Sequence, residues 1–85
     1  MKTFEYKITD ESGIHARPAG VLVKKMREFT SAVIISKGNK RGDGKKLFEV
    51  MRLGLKHNDT LIVTAEGPDE EEAIDAARTV LESTL

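Results

Sequence analysis

Cysteine and tryptophan are absent from the 85-residue sequence, and only 5% of its residues are aromatic. Without cysteine, the protein can form neither a disulfide bond nor a thiolate metal site. No apolar run approaches the roughly 18 residues that a membrane span needs, and the N-terminus lacks the apolar segment of a signal peptide. These absences predict a soluble, cytoplasmic protein that is not inserted in a membrane.

The residues that are present are typical of a small globular protein. Hydrophobic residues make up 39% of the chain and charged residues 33%, which is the composition of a folded rather than a disordered chain. The length suits one domain, so residues 1–85 are predicted to fold as a single unit.

The formal net charge is zero, but the charges are unevenly distributed. Residues 1–57 carry 13 basic and 6 acidic side chains, whereas residues 58–85 carry 1 basic and 8 acidic side chains. This separation is consistent with a basic functional face. Helices that each expose a charged outer surface would produce it as well.

Hydrophobic periodicity, a β-branched run and turn residues together predict four strands and three helices. Phe4, Tyr6 and Ile8 alternate with polar residues, which is the period of a half-buried strand. From Ala16 the apolar residues recur at helical spacing instead. The predicted strands cover about residues 3–8, 32–36, 40–42 and 60–65, and the predicted helices begin at Ala16, near Lys46 and after Asp69. The order β-α-β-β-α-β-α predicts an α+β fold in which helices cover one face of a sheet.

Two local signals predict helix ends. Gly54 follows the second helix, predicted over residues 46–53, and is expected to stop it. Asp69, with Glu72 three residues later, has the form of a capping box at the start of the third helix.

His15 is the first candidate for chemistry, because it occupies the predicted N-cap position of the first helix. The unpaired N–H groups and the helix dipole form a site for an anion such as phosphate. The same field favours a neutral, nucleophilic imidazole. Arg17 can donate hydrogen bonds to phosphate oxygens, and Pro18 is tolerated in a first helical turn. These residues fit a phosphorylated histidine, but on the residues alone a solvent-exposed loop histidine beside an unrelated arginine is the favoured interpretation.

The second helix contains a candidate docking surface. Leu47 and Phe48 are adjacent, and both cannot face the core of so small a domain. Phe48 is therefore expected to be exposed beside Met51 or Leu47, as at a docking surface, although a core helix with one edge residue would show the same pattern. The surrounding basic residues are Lys45, Lys46 and Arg52. Gly20 in the first helix costs about 1 kcal/mol relative to alanine, which indicates either close approach of a partner or a tolerated substitution.

Other motifs are incomplete, so no cofactor or metal is predicted. Residues 38–46 resemble a phosphate-binding loop. That motif requires glycine at position 39 and serine or threonine at position 46, where this chain has Asn39 and Lys46. His15 and His57 are 42 positions apart and have no metal-ligand spacing. The basic portion lacks interleaved aromatic residues, so nucleic-acid binding is not expected.

The chain resembles the HPr family, the histidine-containing phosphocarriers of the bacterial phosphoenolpyruvate–sugar phosphotransferase system. The resemblance rests first on the motif Gly13-Ile14-His15-Ala16-Arg17-Pro18-Ala19. It continues over essentially the whole chain, through Leu47-Phe48, Val50-Met51, Leu53-Gly54-Leu55 and Ala65-Glu66-Gly67-Pro68-Asp69-Glu70. It implies an open-faced β-sandwich of four antiparallel strands under three helices.

The resemblance also implies a function. His15 would accept a phosphoryl group on Nδ1 from phosphoenolpyruvate-charged enzyme I and pass it to the A domain of a sugar permease. Arg17 would pair with the phosphate. The residues implied to contact these partners are Ala16, Gly20, Lys24, Lys45, Leu47, Phe48, Met51 and Arg52. The protein would be a monomeric carrier rather than an enzyme, acting in sugar uptake or in the related nitrogen branch.

Lys46 departs from the pattern of many family members, which carry a regulatory serine there that an ATP-dependent kinase phosphorylates. A phosphoserine would add negative charge to the docking surface, whereas lysine leaves it basic. Seryl regulation is therefore predicted to be absent. An alternative is that the protein is an HPr-like module that regulates a partner without relaying phosphate, but such a module does not need the nucleophile that His15 provides.

Overall fold

A computed structural model of the protein describes residues 1–11, 13 and 16–84. The strands are β1 (Lys2–Lys7), β2 (Ala32–Lys37), β3 (Lys40–Asp43) and β4 (Thr60–Glu66). The helices are α1 (Ala16–Met26), α2 (Leu47–Arg52) and α3 (Glu70–Thr84). The order of the elements is the predicted one, and the α+β fold is confirmed.

The four strands form one sheet in the order β1-β4-β2-β3, and every neighbouring pair is antiparallel. In the register, Phe4 lies opposite Val63, and Val33 lies opposite Ala65. These residues share a face because side chains alternate along each strand. The sequence alternation therefore fixes which side of the sheet meets the helices.

The helices cover one face of the sheet and enclose the hydrophobic core. Strand residues of this face and the apolar stripes of α1 and α3 are almost fully buried; they include Leu22, Met26, Val33, Ile35, Leu61, Val63, Ala73, Ala77 and Leu81. On the opposite face, Ile34, Ile62 and Thr64 are only half-buried. The arrangement is the open-faced sandwich that the sequence predicts.

Gly54 follows the end of α2 as predicted, but the helix, predicted over residues 46–53, spans Leu47–Arg52 and is one residue shorter at each end. Lys46 is the N-cap, with an extended backbone and no capping side-chain hydrogen bond, and the helix begins at Leu47. Gly54 has a φ of +65°, the left-handed conformation in which glycine ends a helix without a Cβ penalty.

The predicted capping box at α3 is wrong. The Asp69 carboxylate accepts hydrogen bonds from the backbone N–H and the hydroxyl of Ser31 and from the N–H of Thr30. A carboxylate does reach back at this helix start, but it belongs to Glu70, which accepts the N–H of Gly67 at 3.1 Å. The physical reason is that Ser31 is buried and its hydroxyl must be satisfied. Asp69 meets that need across the fold.

Within the described ranges, no helix is long and apolar enough to cross a membrane.

Candidate functional site

His15 lies outside the described residues, as do Ser12 and Ile14. The prediction that His15 caps α1 and holds a phosphoryl group therefore stays a prediction. The structure does describe Gly13 before it and the helix that begins at Ala16 after it.

Gly13 is buried and has a φ of +68°. A Cβ built on this residue would lie 2.5 Å from the carbonyl oxygen of Leu55 and 2.8 Å from Cα of Lys56. Both the left-handed backbone and the close approach require glycine here. No local sequence pattern signals this contact, although Gly13 belongs to the motif around His15.

The first turn of α1 contains no acidic residue. Arg17 is exposed, and the adjacent Pro18 in the same turn is buried. Among the residues that the structure describes, Arg17 makes no ion pair or hydrogen bond. No described residue therefore occupies its guanidinium donors.

Exposed apolar side chains occur on α1 and α2, which contact each other. Phe48 is 80% exposed, Met51 39% and Val21 44%. Phe48 and Met51 lie three positions apart on α2, and Val21 lies on α1; we refer to these three exposed side chains together as the apolar patch. Leu47 packs partly against the core instead, so the adjacent pair divides as the sequence predicts. Val21 was missed, although an apolar residue off the buried stripe of α1 signals exposure.

Gly20 lies inside α1 and is partly exposed. A Cβ added there would meet no atom within 4 Å. Packing within the described part of the protein therefore does not require a glycine at this position.

The basic residues predicted around the apolar patch are not equivalent. Lys24 and Arg52 are exposed, as a rim requires. The ammonium of Lys45 instead donates a hydrogen bond to the carbonyl of Phe29 at 2.6 Å. The backbone carbonyl of Lys45 accepts a hydrogen bond from the Nε–H of Arg27 at 2.8 Å. Lys45 thus ties the segment before α2 to the end of α1. Its partner Arg27, also exposed, was missed because this contact is not local.

Lys46, at the N-cap of α2, keeps an exposed side chain. Its ammonium lies 3.9 Å from the Glu49 carboxylate, and the Lys46 side chain is 65% exposed. Glu49 also accepts the backbone N–H of Asp43 at 2.9 Å. Position 46 therefore presents an exposed ammonium group and has no hydroxyl group that could be phosphorylated.

In the described part of the chain, no group of three or more histidine, cysteine or acidic side chains is placed to hold a metal ion.

The connection between α2 and β4, residues 54–59, lies beside the chain segment that leads to His15. The ammonium of Lys37 donates a hydrogen bond to the carbonyl of Gly54 at 2.9 Å and forms an ion pair with the Asp59 carboxylate at 2.9 Å. The hydrogen bond from Lys37, together with the N–H of Lys56, lowers the pKa of Asp59. An ionised Asp59 is therefore held in place at neutral pH.

Sequence comparison identifies the family. The pattern described as the PTS HPr component phosphorylation site matches residues 2–83. The chain belongs to the HPr family. The phosphocarrier protein HPr of Mycoplasma genitalium is 40% identical over 83 residues, which are 96% of this chain and 94% of the relative.

A solved structure and a longer relative agree with this family assignment. The histidine-containing phosphocarrier protein of Mycoplasma matches the fold with a TM-score of 0.95 and 35% identity, over 98% of this chain and 94% of that one. A multiphosphoryl transfer protein of Vibrio cholerae is 40% identical over 88 residues, which are 98% of this chain and 22% of that protein. Membership of the HPr family places the chain among phosphocarrier proteins rather than enzymes.

Proposed function

We propose that the protein relays a phosphoryl group through His15 in a phosphoenolpyruvate-dependent phosphotransferase system. Enzyme I would charge His15, and the A domain of a sugar permease would discharge it. The observation that carries the proposal is the histidine motif at the start of α1 in a chain that matches the HPr family over residues 2–83. The similarity to a multiphosphoryl transfer protein supports a place in a phosphoryl relay.

Phosphoryl transfer requires the protein mainly to position the reacting groups and to neutralise charge. In each transfer, one P–O or P–N bond breaks as another forms. Nδ1 of His15 would attack the phosphoryl group while neutral, which the field of a helix start favours. Arg17 is exposed in the first turn and would offset the phosphate charge with its guanidinium.

We propose that both partners dock on the apolar patch, Val21, Phe48 and Met51. An exposed aromatic side chain beside further apolar residues is typical of an interface centre, and cations are typical of its rim. Phe48 is 80% exposed, so a partner could bury most of its surface. Lys24 and Arg52 are exposed and would form part of the rim. Gly20 would leave space for close approach.

The proposed source of the phosphoryl group, phosphoenolpyruvate, is an intracellular metabolite, so we place the carrier in the cytoplasm. We also propose that it acts as a monomer, because each transfer requires the docking surface to be free for a different protein.

The function is tested by incubating the protein with phosphoenolpyruvate and enzyme I, followed by intact mass and phosphorus NMR. We expect one acid-labile phosphoryl adduct, lost in His15→Ala and retained in the matched control His57→Ala. His57 is exposed in the connection between α2 and β4. Absence of any adduct with a cognate enzyme I would instead favour the regulatory module without phosphorelay.

A further inference from the structure

His15 belongs to the loop between β1 and α1. One other segment contacts this loop at two places, Ile8 and Gly13. That segment is the connection of residues 54–59 between α2 and β4, which we call the 54–59 connection. At the β1 end, the N–H of Ile8 donates to the carbonyl of Asp59 at 2.9 Å, and the N–H of Asn58 donates to the carbonyl of Ile8 at 2.8 Å. Ile8 is fully buried. The loop therefore leaves the sheet from a fixed point.

At the other end, the 54–59 connection contacts Gly13, two positions before His15. The backbone of Leu55 and Lys56 lies so close that it leaves no room for a Cβ on Gly13. Leu55 is itself part of the hydrophobic core. The 54–59 connection and Gly13 are therefore in close backbone contact, so a change in the connection is expected to change the position of Gly13.

Lys37 at the end of β2 fixes the shape of the 54–59 connection. Its ammonium joins the two ends of the connection, with 2.9 Å to the carbonyl of Gly54 and 2.9 Å to the carboxylate of Asp59. The same carboxylate accepts the N–H of Lys56 at 2.8 Å. The side chains of Lys37 and Asp59 are 29% and 28% exposed, so this ion pair is partly shielded from water and should hold one geometry better than an exposed pair.

We propose that Lys37 and Asp59 are positioning residues for the phosphoryl acceptor. They set the backbone of the 54–59 connection, which sets Gly13 and hence the approach of the chain to His15 and α1. The proposal rests on the proposed function of His15 for its role in phosphoryl transfer, but the positional coupling itself does not. Because rate depends steeply on the placement of a reacting atom, a small displacement has a large kinetic effect.

The test uses Lys37→Met and Asp59→Asn, both of which remove the ion pair while keeping similar side-chain length or shape. Lys40→Met is the matched control, because Lys40 lies opposite Lys37 in the same hairpin and makes no ion pair among the described residues. We expect the initial rate of phosphorylation by enzyme I to fall on the order of tenfold in both test variants. The enzyme I concentration at half-maximal rate should not change, since the apolar patch is intact.

A readout that does not need enzyme I separates positioning from simple loss of stability. The imidazole ring signals of His15, compared by NMR at one fixed pH in samples that circular dichroism shows to be folded, should shift relative to the wild type. The amide signals of Gly13 and Ala16 should shift with them, and Lys37→Arg should restore the wild-type signals. Folded Lys37→Met and Asp59→Asn proteins with unchanged His15 ring signals and an unchanged rate would overturn the proposal, as would equal effects in Lys40→Met. If the wild-type protein accepts no phosphoryl group, the proposed function fails, and the NMR comparison still decides the coupling.

Discussion

Single glycines in this protein have opposite structural meanings. Gly13 has a left-handed backbone and no room for a Cβ, whereas Gly20 is helical and has open space around it. The sequence alone does not reveal that Gly13 is structurally required and that Gly20 is not. The contact that makes Gly13 necessary comes from Leu55 and Lys56, which are distant in sequence, and no local spacing encodes such a contact.

Gly13→Ala should destabilise the protein and Gly20→Ala should stabilise it. A non-glycine residue in the left-handed region costs about 1–2 kcal/mol, and the close backbone of Leu55 adds to that cost. In the interior of α1, alanine gains roughly 0.5–1 kcal/mol over glycine. Urea unfolding monitored by circular dichroism measures both changes. A Gly13→Ala protein as stable as the wild type would contradict the tight contact with the 54–59 connection.

Lys46 determines whether a second kind of phosphorylation can occur on this chain. We expect no stoichiometric phosphoserine when the protein is incubated with ATP and the kinase that modifies the regulatory serine of relatives, because lysine offers no hydroxyl at position 46. Lys46→Ser should become a substrate, and the phosphorylated variant should bind enzyme I more weakly because of the added negative charge. Mass spectrometry and titration with enzyme I measure these two outcomes. Phosphoserine in the unsubstituted protein would refute the prediction.

At the scale of elements, local sequence patterns predicted the helices and strands but not the contacts that join them. The alternation around Phe4 identified β1, and the break at Gly54 identified the end of α2. The spacing of Asp69 and Glu72 suggested a local cap, yet Asp69 bonds to Ser31 instead. Short-range patterns report backbone conformation and burial, whereas the partner of a carboxylate depends on which elements the fold brings together.

Phe48→Ala in α2 should weaken binding to enzyme I without weakening the fold. Because Phe48 is 80% exposed, its removal should change the free energy of unfolding by less than about 0.5 kcal/mol. Loss of a central aromatic side chain from an interface typically costs about 2 kcal/mol or more. Calorimetric titration with enzyme I and urea unfolding measure the two effects. Glu82→Ala, on the exposed surface of α3, is the control and should change neither quantity; unchanged affinity in Phe48→Ala would place the docking surface elsewhere.

At the scale of the whole molecule, a few carboxylates connect elements that are distant in sequence. Asp69 joins the start of α3 to the segment before β2 through Thr30 and Ser31. Glu70 pairs with the N-terminal amine of Met1 at 2.8 Å. Asp59 joins the 54–59 connection to β2 through Lys37. These long-range pairs are the part of the fold that the sequence could not predict, because each depends on tertiary placement.

Acid should destabilise the protein through these carboxylates. Hydrogen bonds from the Ser31 hydroxyl and the Thr30 N–H lower the pKa of Asp69 from 3.8 to about 2, and the pKa values of Asp59 and Glu70 are also lowered. The folded pKa lies below the unfolded value, so the stabilisation is present above a pH of about 4. It is lost as the pH falls toward about 2.

Urea midpoints measured across this pH range test the assignment. Asp69→Asn should be less stable than the wild type at neutral pH and should lose less stability on acidification, because the titrating group is gone. Glu66→Gln is the control. It removes an exposed carboxylate three positions before Asp69, and its stability should follow the wild-type pH profile. If Asp69→Asn showed the same decrease as the wild type, the acid sensitivity would arise from other groups.

The apolar patch consists of only three side chains on two adjoining helices. If both proposed partners use it, then donor and acceptor cannot be bound at once, and the carrier must dissociate from one before it meets the other. Each partner then acts as a competitive inhibitor of the other's access to the carrier. The flux of phosphoryl groups would depend on the pool of unbound carrier and on encounter rates as much as on the chemistry at His15.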